Sequence, residues 1–122
     1  METFGTRLRA MRLAAGLGLQ EFCRRAGQDA GNYSRIERGL THPPRDHRKL
    51  EPVRAALGLD AESDDWTYLL TLADLEWGAL PRRLLTDEAV RPLLPALLHG
   101  LANHPMTEQQ VKALLSVIRS GR

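Results

Sequence analysis

Residues 16–39 read Gly-Leu-Gly-Leu-Gln-Glu-Phe-Cys-Arg-Arg-Ala-Gly-Gln-Asp-Ala-Gly-Asn-Tyr-Ser-Arg-Ile-Glu-Arg-Gly, and they decide the fold. A short amphipathic segment over about 19–26 turns Phe22, Cys23 and Ala26 inward. Gly27 stands where the backbone must turn left-handed, a conformation glycine adopts without steric cost. Asp29 is suited to cap a second short helix over about 30–38, held from behind by Tyr33 and Ile36 and ended by Gly39. The small Cys23 lets this second helix cross the first closely. Ala30, Gly31, Asn32, Ser34, Arg35 and Arg38 then face outward. The spacing predicts a helix-turn-helix, in which the second helix enters a DNA major groove and the first sets its angle.

The outward residue types suit that task. Asn32 can bond the N6 and N7 edge of adenine, and Arg35 can bond O6 and N7 of guanine. Ala30 and Gly31 are small enough for the backbone to approach the groove floor, and Ala30 can meet a thymine methyl. Ser34 stands with them among the base-facing positions. Arg38, Thr41 and His42 follow the recognition helix and suit phosphate contacts, as do Gln20, near a positive helix terminus, and Arg24. The competing reading is a helical hairpin with a solvated basic face. The joint spacing of Gly16, Cys23, Gly27, Tyr33, Ile36 and Gly39 favours the DNA reader.

Outward from this stretch the chain reads as all-α, with no alternation long enough for a strand. Phe4, Leu8, Met11 and Ala15 predict a first amphipathic helix over about 2–15. Pro43 and Pro44 stiffen the connection after Gly39. A fourth helix starts near Lys49, with Pro52 in its first turn and Leu50, Val53, Ala56 and Leu57 inward. Ser63 caps a fifth, with the stripe Trp66, Leu69, Leu70, Ala73 and Trp77. Pro92 and Pro95 break the following segment into short pieces. Thr107 and Gln110 form a capping box for a last helix over about 108–119, with Val111, Leu114, Leu115 and Ile118 inward.

Two modules follow: 1–59, a helix-turn-helix domain, and 60–122, a small helical module. The second is rich in large apolar residues and too small to bury them alone. A dimerisation seam is therefore expected from Trp66, Leu70, Trp77, Leu94, Leu97, Leu98, Leu114, Leu115 and Ile118. Charge divides the same way. Residues 1–59 carry 11 Lys and Arg against 6 Asp and Glu, and residues 60–122 carry 6 against 9. The basic half suits a polyanion.

Other chemistries find little support. No apolar run is long enough for a membrane span, and the first residues carry no apolar signal segment. The single Cys23 excludes an internal disulfide and suits a reducing cytoplasm, where the protein would sit on the nucleoid. His42 and His47, like His99 and His104, are five apart rather than four, so no metal site is expected. Cys23 sits at a packing position with no activating histidine, and Asp64-Asp65 and Asp87-Glu88 read as helix-start charges. Neither an enzyme nor a cofactor is expected.

Gly16-Leu17, Arg24-Arg25-Ala26-Gly27 and Ser34-Arg35-Ile36-Glu37-Arg38-Gly39 resemble the xenobiotic-response-element (lambda repressor and Cro-like) family of helix-turn-helix regulators. The resemblance covers about 4–59, from Phe4-Gly5 to Ala55-Ala56-Leu57-Gly58-Leu59. It implies a five-helix domain, a homodimer on palindromic double-stranded DNA, and repression, often of its own gene. It also implies base reading by Ala30, Gly31, Asn32 and Arg35, with Arg38 on phosphate. The sequence departs from the family pattern at Gly18, Leu19 and Gln28, and Gln20 comes one place late. More loosely, the second half resembles regulator tails that dimerise or act as antitoxins, so a toxin partner for the acidic tail is the alternative. A helical interaction module without DNA binding is the third reading.

Overall fold

The computed structural model describes residues 2–119, and all regular elements among them are helical. Contacts divide the chain into two units, Met1–Pro81 and Arg82–Arg122.

The first unit holds five helices: α1 (Phe4–Ala14), α2 (Leu19–Ala26), α3 (Ala30–Glu37), α4 (Glu51–Leu57) and α5 (Asp64–Glu76). A 3-10 turn, His47–Leu50, leads into α4, and Pro52 occupies the first turn of that helix, where no backbone donor is needed. Local chemistry places the helix starts. Thr3 and Thr6 form a reciprocal cap at α1, Asp29 accepts from the Asn32 amide at α3, and Ser63 accepts from the Trp66 amide at α5.

One core joins them. Phe4 and Leu8 of α1, Phe22, Cys23 and Ala26 of α2, Tyr33 and Ile36 of α3, and Leu50 and Val53 are buried together with Trp66, Leu69, Leu72 and Ala73 of α5. The unit boundary therefore differs from the division at 59 that the sequence suggests. The apolar stripe of α5 packs on α1, so α5 completes the front core instead of opening a second module. Trp66 is 1% exposed and cannot line a seam between subunits. Leu70 is half-buried against the same core, and Trp77 is engaged with the loop after α3, as described below.

Two features of this core are not apparent from apolar spacing. The inward stripe of α1 contains Arg12, not Ala15, which lies exposed at the helix end. Arg12 donates from Nε and Nη2 to the two Glu37 carboxylate oxygens at 2.8 and 2.9 Å, and from Nη1 to the Leu17 carbonyl at 2.8 Å. Both side chains are buried, and the paired geometry satisfies them. Beside them Gly5 meets α3 directly. A Cβ there would lie 2.1 Å from the Ile36 carbonyl oxygen and 2.9 Å from the Glu37 Cα, so only glycine permits this crossing.

The second unit contains α6 (Arg82–Thr86), a 3-10 turn (Arg91–Leu93), α7 (Leu94–Asn103) and α8 (Glu108–Arg119). Thr107 and Gln110 make the expected reciprocal cap at 2.9 and 3.2 Å. Among its described residues only Leu94 is buried. Its burial removes Leu94 from the exposed seam, whereas Leu97, Leu98, Leu114, Leu115 and Ile118 are 41–63% exposed.

Candidate nucleic-acid interface

The interface is built on the α2–α3 pair. Gly27 takes φ 64°, and the next amide, of Gln28, donates to the Cys23 carbonyl at 2.8 Å, closing the turn. Gln28, polar where an apolar residue would be usual, turns its Nε2 back to the Ala26 carbonyl at 3.2 Å. Leu19 packs against the core. Asp29 Oδ2 accepts the Asn32 amide at 2.7 Å, which fixes the start of α3. Phe22 and Tyr33 meet edge-to-face, with centroids 6.2 Å apart, and hold the back of α3.

These contacts leave one stripe of α3 exposed: Gly31, Arg35 and Arg38, at four- and three-residue spacing. Asn32 and Ser34 flank it half-buried, and Ala30 is partly turned into the core. Gly31 has an ordinary helical φ, and a Cβ would come no closer than 3.3 Å, to a side-chain oxygen of Asp29. A glycine inside a helix costs roughly 1 kcal/mol relative to alanine. The atom a Cβ would crowd is the Asp29 oxygen that caps α3, so the glycine also leaves that cap undisturbed.

The cations sort into two groups. Arg24 and Arg25 both bond Glu21, at 2.6 and 2.8 Å, which lowers the Glu21 carboxyl to about 2, Arg24 contributing most. Arg48 is bonded to Asp46 at 2.9 Å. Among the described residues, Arg35, Arg38 and Arg45 make no ion pair, and Arg38 Nε reaches only the Ser34 carbonyl, at 3.3 Å. Gln20 is exposed in the first turn of α2, where it borders an open cleft of 460 Å³ together with Arg24, Gln28, Asp29 and Ala30. Thr41 is half-buried and His42 exposed, the His42 ring lying 4.8 Å from that of Trp77.

The structure therefore brings Gly31, Asn32, Ser34 and Arg35 together along α3, with Arg38 at its end, and Gln20 and Arg24 of α2 line the cleft that reaches Ala30 at its start. Arg45 and the Arg12–Glu37 pair are absent from the sequence reading. A signal for the pair exists: Arg12 lies four after Leu8, and Glu37 four after Tyr33, so opposite charges occupy both inward stripes. Among the described residues, no group of three or more His, Cys, Asp and Glu side chains could hold a metal ion, and no helix is long and apolar enough to cross a membrane.

A family model described as a helix-turn-helix domain matches residues 3–66, just over half the chain, and spans the whole α1–α4 region. No curated protein and no solved structure matches.

Proposed function

The chain belongs to the helix-turn-helix domain family, and we propose that it is a sequence-specific transcriptional repressor that binds an inverted-repeat operator as a homodimer. The observation that carries this reading is the stripe Gly31–Arg35–Arg38. It is exposed on a helix capped by Asp29, its two arginines lack carboxylate partners, and its glycine leaves the helix surface without a side chain. Arg35 and Asn32 read base edges, with Ser34 beside them. Ala30 and Gly31 admit close approach. Arg38, Gln20, Arg24, Thr41 and His42 contact phosphates. Arg24 acts from its pairing with Glu21, so its contribution is the smaller.

The homodimer is supported by the second unit. Helix α7 carries no Asp, Glu, Lys or Arg, and Lys112 of α8 is paired with Glu108 at 3.1 Å. The exposed set Leu97, Leu98, Leu114, Leu115 and Ile118 thus offers apolar surface with little charge for a basic partner to recognise. A second copy matches it without charge complementarity. Two recognition helices related by two-fold symmetry would read half-sites about 34 Å apart and block polymerase at the promoter.

Selection of bound genomic fragments by the purified chain, at roughly physiological salt, tests the reading. The expected result is an enriched inverted repeat. Arg35→Ala should then cost about 1–3 kcal/mol on that repeat and blur one base position. Equal losses on operator and random DNA would contradict base reading by Arg35. A folded protein that enriches no sequence would redirect attention to a protein partner for the second unit.

A further inference from the structure

The loop that leaves α3 is held by a residue far away in sequence. Trp77, at the end of α5, donates from Nε1 to the Pro43 carbonyl at 2.9 Å. Its ring lies 4.8 Å from the His42 ring and 5.7 Å from the Arg45 guanidinium carbon. One turn earlier, Asp74 Oδ1 meets His47 Nε2 at 2.6 Å on the far side of the loop. The connection is thus pinned at both ends to α5. Arg45 is exposed and makes no ion pair, although Asp46 is its neighbour, because Asp46 is occupied by Arg48.

An unpaired arginine on a free loop would sweep a large volume and lose side-chain entropy on any contact. Set over an indole face, 5.7 Å from its centroid, the guanidinium is restrained by a cation–π contact while its N–H groups remain open to an anion. We propose that Arg45 is an additional contact to the DNA phosphate backbone and that Trp77 is its positioning residue. Arg38, His42 and Arg45 would then follow one another along the exit of the recognition helix as a single phosphate-binding track. This inference rests on the proposed DNA binding.

The test is duplex binding by the full chain as a function of salt, on random sequence and on the selected repeat. Arg45→Ala is expected to lower the slope of log K against log salt by about 0.9, the value for one phosphate contact, and to weaken both duplexes alike. Trp77→Leu should lower the slope similarly, and Trp77→Phe, which keeps a ring under Arg45, should retain most of it. An unchanged slope in Arg45→Ala would overturn the contact, and an unchanged slope in a folded Trp77→Leu would overturn the positioning role. Tryptophan emission gives a second readout that needs no Trp77 variant. Trp77 is partly exposed and Trp66 enclosed, so duplex addition should change the wild-type emission. Demonstrated binding with constant emission would count against the track. Absence of any duplex binding by the wild type at low salt would instead remove the functional reading itself.

Discussion

The two units use the same helix-forming rules and differ in what their helices bury. In Met1–Pro81 every helix contributes buried apolar side chains to one core. In Arg82–Arg122 the helix starts carry Pro92 and Pro95 in their first turns and the Thr107–Gln110 cap of α8, yet one described residue, Leu94, is buried. Capping and turn chemistry establish where helices begin and end. They contribute about 1 kcal/mol each, far less than burial of a large side chain network. The second unit therefore has locally signalled helix starts but leaves most of its large apolar side chains exposed.

Four substitutions would break or sharpen this contrast, in descending order of effect. Glu37→Ala leaves Arg12 buried without its carboxylate and should destabilise the first unit by about 3–5 kcal/mol in denaturant unfolding. A loss below 1 kcal/mol would mean that water reaches the pair. Leu114→Glu, on an exposed position of α8, should leave the unfolding of the first unit unchanged and weaken self-association by about 2 kcal/mol, roughly 30-fold, in sedimentation. A strictly monomeric wild type would sink the proposal that a second copy completes this unit. Gly5→Ala forces α1 away from the Ile36 carbonyl and should cost about 1–3 kcal/mol, despite the better helix propensity of alanine. Stabilisation instead would show that the crossing is loose. Thr107→Ala removes the cap of α8 and should cost about 1 kcal/mol, read as faster amide exchange in the first turn of that helix alone. Spread of the effect to α1–α5 would show that loss of this cap is not a local event.

Much of the α2–turn–α3 geometry of the candidate site was legible from residue types because its determinants are local. Gly27 needs a left-handed turn, Asp29 caps the helix that follows, and Tyr33 and Ile36 lie three apart. Those positions alone orient the outward stripe of α3. The role of α5 was not legible. Its stripe of Trp66, Leu69 and Ala73 declares an apolar face and says nothing about which surface will meet it. The chain had two possible destinations for that face, the open side of α1 or a partner, and the first is occupied. Leu72 completes the buried set and Leu70 only borders it, a small rotation of the helix that depends on the shape of the surface it packs on. Arg45 was invisible for a related reason: its setting is made by Trp77, thirty-two residues later in the chain.

The amino-acid sequence by itself determined the helical class, the α2–turn–α3 unit and the starts of the helices capped by Asp29, Ser63 and Thr107. Each of these is an interaction over a few residues, between a side chain and nearby backbone or between positions one turn apart. Tertiary structure alone decided that α5 joins the front core, that Arg12 and Glu37 neutralise each other inside it, that Gly5 lets α1 touch α3, and that Trp77 braces the loop beyond the recognition helix. These depend on contacts between residues distant in the chain, where burial and shape choose among partners that local propensity treats as equivalent.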